Sequence, residues 1–186
     1  MYNTFRIFFV AYLCSFIQAC TNNESESKAP SDDLYQFLKV DLSPYDLPAT
    51  IHIPDETAGI GASFKTKIEH EEDFKWKISA GPNFELYLED WGENKGRLKE
   101  FKTQLLNNQV FKCAIIEEND QMLMYSKELS QTNNTENYEH LSFHVYALIP
   151  INGVFYEITN RPEGDPIETT KLMFTSIKSF KPCPTK

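Results

Sequence analysis

Nothing in this 186-residue chain is apolar for long enough to span a bilayer. The sustained apolar run from Ile7 to Ile17 falls well short of the ~20 residues a helix needs to cross ~30 Å of hydrocarbon. Hydrolytic and redox signatures are missing as well. There is no Gly-x-Ser-x-Gly elbow, no His-Glu-x-x-His pair and no Cys-x-x-Cys, the spacings that set up a nucleophile, a zinc site or a reactive dithiol. Glycine is scarce at 7 residues, and Gly59-Ile60-Gly61 lacks the third glycine of a phosphate cradle, so no cofactor is expected. Cations are outnumbered, 18 against 27 acids, for a net charge of −9. Such a field repels phosphate backbones and argues against nucleic acid as a partner. Internal repeats are absent too, which leaves an ordinary globular domain.

What is present begins at the amino end. Arg6 precedes the apolar run, and Ala19 and Cys20 follow it, the order of a secretory signal. Ile17-Gln18-Ala19-Cys20 resembles a bacterial lipobox, with a branched apolar residue three before the cysteine and a small one just before it. The resemblance implies a signal peptide over 1–19 and a lipidated Cys20, palmitate among its acyl chains, as the first mature residue. Gln18 departs from the small or hydroxyl residue more usual there, and the alternative is a soluble chain cleaved near Ala19. Residues 20–30 are polar and end in Pro30, which suits a flexible tether. Thr21 stands where an aspartate would favour inner-membrane retention, so the resemblance points to the bacterial outer membrane, on its periplasmic or surface face. Each buried CH₂ of the lipid adds ~0.8 kcal/mol of attachment.

With Cys14 in the signal and Cys20 carrying lipid, Cys113 and Cys183 remain. In an exported protein such a pair suggests a disulfide, whose closed loop would stabilise by about 4 kcal/mol on the chain-entropy account. Alternatively, Cys113 shares an apolar face with Phe111 and Ile115 and is a packed free thiol.

From residue 31 to 186 the pattern is that of one domain. Leu34, Phe37 and Leu38 follow helical spacing and predict a short helix or docked arm. Thr50 to Ile53 reads as a strand stopped by Pro54, and Phe64 to Glu69 is ambiguous. Phe74 to Ser79 and Phe84 to Glu89 alternate as half-buried strands around a Gly81-Pro82-Asn83 turn. Glu93 to Asn107 predicts a helix with a stripe of Leu98, Phe101, Leu105 and Leu106, and Asn107 and Asn108 offer a left-handed end. Val110 to Ile116, Met122 to Leu129, Leu141 to Ile151 and Val154 to Thr159 read as four strands, the last two joined by Asn152-Gly153. Asp165-Pro166-Ile167-Glu168 then reads as an N-cap, proline at the first helical position and glutamate three after the cap.

Hairpins in succession demand antiparallel pairing, and two amphipathic helices must cover sheet faces. The fold class is therefore α+β, an antiparallel β-sheet of about six to seven strands covered by two helices. The order resembles the PsbP-like α/β/α sandwich, which ends in a helix and a short apolar strand such as Ser176 to Phe180. The Trp76-to-Phe84 segment and the Tyr156-Glu157-Ile158 strand are similar to those of uncharacterised Bacteroidetes lipoproteins. These motifs are structural and imply fold and export, not chemistry.

The chemistry-bearing candidate is Tyr138, His140, Ser142, His144 and Tyr146, which share one face if this stretch is a strand. That face would suit a polar ligand. It cannot chelate one metal, because the histidines stand ~13 Å apart along a strand and Zn–N bonds are ~2.0–2.1 Å. Glu117, Glu118 and Asp120 at a hairpin read as a solvated turn, and the acidic run Glu69 to Asp73 reads as a charged loop, since it lacks the regular alternation of oxygen ligands that would hold calcium. Trp91, Tyr35, Tyr45 and Tyr87 are surface aromatics of the kind that bind carbohydrate or protein, or half-buried packing. The expectation is a monomeric or weakly associating binding or accessory module, held at the membrane by its lipid, for an envelope protein or small polar ligand. The competing class is an envelope hydrolase working in a polar sheet-face cleft.

Overall fold

Residues 34–61, 65–129 and 141–184 are described in the computed structural model. They form β1 (Phe37–Asp41), β2 (Ala49–Pro54), β3 (Thr66–Glu72), β4 (Lys75–Ala80), β5 (Glu85–Asp90), α1 (Arg97–Leu106), β6 (Phe111–Glu118), β7 (Met122–Leu129), β8 (Ser142–Ile151), β9 (Val154–Thr159), α2 (Ile167–Lys178) and β10 (Lys181–Pro182). The expected signal peptide, Cys20 and the tether lie outside these residues. No helix among them is long and apolar enough to cross a membrane.

Turn chemistry sets the large sheet. Asn152 and Gly153 take φ 52° and 89°, the paired positive angles of a type I′ turn, and pair Ile151 with Val154. Asn119 Oδ1 accepts from the amides of Gln121 and Met122 and turns β6 into β7. Seven strands result, in the order β3-β4-β5-β9-β8-β7-β6, each pair antiparallel. Both outer strands carry an irregularity in register, between His70 and Glu72 in β3 and between Ile115 and Glu117 in β6.

The middle of this sheet is buried on both faces. In β7, Met122 and Met124 join one core while Leu123 and Tyr125 join another, and in β8 Val145 and Ala147 separate in the same way from Tyr146. Met173, Phe174 and Ile177 of α2 fill the first core, together with Ile51 and Ile53 of β2. Leu98, Phe101 and Leu105 of α1 cover the second. The helices therefore flank opposite faces. An α+β, antiparallel architecture with two covering helices is what the strand and helix patterns predict.

A three-stranded sheet, β1-β2-β10, completes the side of α2. Its first strand replaces the expected helix or arm. Phe37 to Asp41 pair with Pro54 to Thr50, so β2 satisfies the backbone, and Leu38 is left 59% exposed, off the core. The expected terminal strand also moves. α2 runs on to Lys178, because Ile177 and Phe180 both reach the core from helical and post-helical positions, and the strand is Lys181–Pro182 against Thr50 and Ala49.

Helix ends differ from expectation for local reasons. Asn94 Oδ1 accepts from the Gly96 amide, which holds the chain in a turn until Arg97. Asn107 is not left-handed, at φ −96°; Asn108 instead accepts from the amides of Val110 and Phe111. Asp165 does not cap α2. Pro166 holds the cap position, with ψ 148° and no side-chain cap bond, while the Asp165 carboxylate is taken by Asn160 Nδ2 at 2.7 Å and Arg161 Nε at 3.1 Å.

One turn is strained. Phe74, between β3 and β4, has φ 69° and its ring is 63% exposed, so a left-handed backbone that costs a side-chain-bearing residue ~1–2 kcal/mol is not offset by burial. Phe74→Gly is expected to raise unfolding free energy by about 1 kcal/mol, read as a higher urea midpoint at unchanged slope. A lower midpoint would mean that the exposed ring contributes more than the strain costs.

Candidate functional site

β8 carries the expected polar face. Tyr138 and His140 lie outside the described residues, but Ser142, His144 and Tyr146 do share one side of the strand, with Val145 and Ala147 on the other. At His144 and Tyr146 the face is covered, while Ser142 is half-buried. His144 is 2% exposed, and its ring stacks on Tyr125 with centroids 5.1 Å apart. Gly164 closes over it: a Cβ there would come within 2.7 Å of His144 Nε2 and 2.6 Å of Ser142 Cβ. The loop carrying Gly164 is pinned by the Phe143–Asp165 backbone bridge and by Asn160, which donates to the Phe143 carbonyl and accepts from the Val145 amide.

Inside this enclosure Ser142 Oγ and His144 Nε2 are 2.9 Å apart. Burial, with the Lys127 charge adding to it, pulls the His144 imidazole down to about 4, so the ring is neutral near pH 7. Burial pushes the nearby Asp165 carboxyl up, against the opposing effects of Asn160 and Arg161. A neutral histidine beside a serine hydroxyl has the donor and acceptor of a general-base pair. Here the aromatic stack and the Gly164 loop leave little room at the ring for a substrate.

Farther along the same face the sheet builds a second polar centre, one the sequence does not announce. Glu157 Oε2 accepts from Tyr146 OH at 2.5 Å and from Arg97 Nη2 and Nε at 3.1 and 3.2 Å. The Arg97 guanidinium in turn lies 3.6 Å from the Trp91 ring centroid, and Phe101 stacks on Tyr146 at 3.8 Å. Burial first, and the Glu157 bond second, push the Tyr146 phenol up. Beside this centre a recess of about 260 Å³ is bordered by Glu71, Lys75, Tyr87, Glu89 and Thr159. Trp91 thus stands half-buried under a cation. Tyr87 donates to Glu85, which also holds Lys77, while Tyr35 is exposed. The pairing of Arg97 with Glu157 spans sixty residues, and no local pattern carries it.

A larger cleft of about 640 Å³ lies on the other side of the sheet. Gln36 and Phe37 at the head of β1 form one wall, Ala58 to Gly61 and Asn83 another, and Glu168, Lys171, Leu172 and Thr175 of α2 the third. Gln36 Nε2 donates to the Thr57 carbonyl at 2.8 Å and Asn83 Nδ2 to the Ile60 carbonyl at 2.9 Å, fastening the loop to its neighbours. Its volume is that of a small-molecule site, ~300–1,000 Å³. Phe37, Gly59 to Gly61, Asn83 and Glu168 each carry a local reading in the sequence, but nothing there joins them into one site, because they come from four separate segments.

Other expected features resolve into structure. Both thiols are free. Cys113, on the outer strand of the large sheet, lies against the Phe111 carbonyl, and Cys183, just beyond β10, against Asp41. The packed-thiol alternative, not the disulfide, is therefore what this structure contains. Glu117 and Glu118 reach Lys178 and Lys102 at 2.6 and 2.5 Å, and His70 stacks on Trp76. No protein-family model matches the chain, and a search of curated proteins returns no match.

The His144 site has a pH signature. Its folded pKa lies below the ordinary ~6.5, so the unfolded chain takes up a proton that the folded site refuses. The stabilisation is complete above pH ~6.5 and is lost as pH falls toward about 4, with a slope of at most ~1.4 kcal/mol per pH unit. Urea unfolding between pH 7.5 and 4 should show this decline in the wild type and a flatter one in His144→Gln. Equal slopes would remove His144 as the source.

Proposed function

We propose that this chain is a lipoprotein held in the bacterial outer membrane through Cys20, whose α+β domain is a PsbP-like sandwich and acts as a binding or accessory module. Its partner is a small polar ligand or an envelope protein. The observation that carries the reading is the cleft of about 640 Å³ against α2, framed by elements fastened to the core. The space around His144, by contrast, is taken by Tyr125 and the Gly164 loop. A recess walled by separate segments, with apolar and polar groups in its lining, is what a binding module requires. The signal-like start, the polar stretch behind Cys20 and the net charge of −9 suit an exported, tethered domain.

Replacement of Cys20 by alanine is expected to abolish incorporation of radiolabelled palmitate and to move the protein from the membrane to the soluble fraction. Unchanged labelling and fractionation would sink the anchor.

The 2.9 Å contact of Ser142 with His144 favours a second reading, an envelope hydrolase with Ser142 as nucleophile. On the binding-module reading a fluorophosphonate probe leaves the full chain unlabelled. Labelling that disappears in Ser142→Ala would establish the hydrolase instead.

A further inference from the structure

The cleft against α2 has a chemistry narrow enough to name a ligand class. The carbonyls of Thr57 and Ile60 can only accept, so the amides that meet them must present their NH₂ groups: Gln36 Nε2 at 2.8 Å and Asn83 Nδ2 at 2.9 Å. That orientation leaves the amide oxygens of both residues as acceptors, with no bond to them among the described residues. Charge is nearly cancelled, because the two ionised groups of the lining, Glu168 and Lys171, pair with each other at 3.1 Å on exposed positions of α2. The apolar share of the wall comes from Phe37, Leu172 and Ala58, and Thr175 adds a hydroxyl. At Gly59 the space is open: a side chain there would meet nothing within 4 Å.

We infer that this cleft binds a neutral saccharide. The inference rests on the binding-module reading given above and names its ligand class. Sugar hydroxyls supply the donors that two amide oxygens and a threonine call for, and the CH face of a sugar ring lies against the Phe37 ring and Leu172. A cationic or anionic ligand gains nothing comparable. Glu168 and Lys171 already neutralise each other, and stripping water from a charge without a matching partner is costly.

The test is an NMR titration of the ¹⁵N-labelled full chain, held in a detergent without sugar groups. The neutral probes are maltose, cellobiose, lactose and N,N′-diacetylchitobiose; the charged probes are glucosamine and glucuronate; the peptide probe is Gly-Ala-Ser. At least one neutral disaccharide is expected to give saturable shifts at Gly59, Gly61 and the Asn83 side-chain amide, at lower concentration than either charged sugar. Thr175→Trp, which fills the cleft, should weaken that binding by about tenfold or more. Gln36→Leu should weaken it as well, with no more than the small drop in thermal midpoint that loss of the exposed Gln36 Nε2–Thr57 carbonyl bond brings. Shifts at these residues with the charged sugars or the peptide alone would overturn the saccharide class and leave a binding cleft. No shifts with any probe would overturn both the class and the cleft as the module's site.

Discussion

The constraint on which the rest of the structure depends is that Met122 to Tyr125 of β7 and His144 to Ile149 of β8 are buried on both faces. An antiparallel sheet is commonly wet on one side. Here Met122 and Met124 face one core and Leu123 and Tyr125 the other, so two covering layers are obligatory. α1 and α2 supply them on opposite sides, and β2 extends the second. Removal of either helix would expose a row of large side chains, each contributing ~1.5–3 kcal/mol by its burial. Most polar groups that fall in these covered layers therefore find partners inside the protein, the buried hydroxyls of Thr50 and Ser176 being exceptions. Tyr146 finds Glu157, His144 finds Ser142, and Asp165 finds Asn160 and Arg161.

The same constraint explains where the surface remains available. α1 covers the β6–β8 end of its face, and the strands toward β3 present paired charges such as Lys77 with Glu85 and Lys75 with Glu89. On the opposite face, α2 and the small sheet leave the cleft between them. Its walls are hydrogen-bonded loops and a helix that shares the main core, so the recess belongs to the framework and not to a single excursion of the chain. A ligand entering it finds groups already placed, which lowers the ordering cost of binding.

Most of the fold was legible in the sequence wherever a signal was local. Asn152-Gly153 announced its hairpin, the alternation from Phe74 to Ser79 its strand, and Leu98, Phe101 and Leu105 their helix. Misreadings arose where a distant partner decided. The helical spacing of Leu34, Phe37 and Leu38 lost to pairing with β2. The aspartate of a convincing helix start was claimed by Asn160 and Arg161. The face of Ser142, His144 and Tyr146 was placed on the right strand side, but its covers, Tyr125, Phe101 and the Gly164 loop, are contributed by other segments. The Glu157 centre and the cleft have no local pattern at all, since each assembles residues far apart in the chain.

The irregular registers of β3 and β6 carry a consequence for crowding. They are the two outer strands of the seven-stranded sheet, the places where another chain would add a strand through unpaired amides and carbonyls. An extra residue near Glu71 on one side and near Ile116 on the other breaks the hydrogen-bond spacing that such an addition requires. Charged residues, Lys67 and Glu69 on β3 and Lys112, Glu117 and Glu118 on β6, line the same rims. Kinked, charged rims at both ends of the sheet therefore disfavour edge-to-edge addition wherever copies of this chain are crowded together.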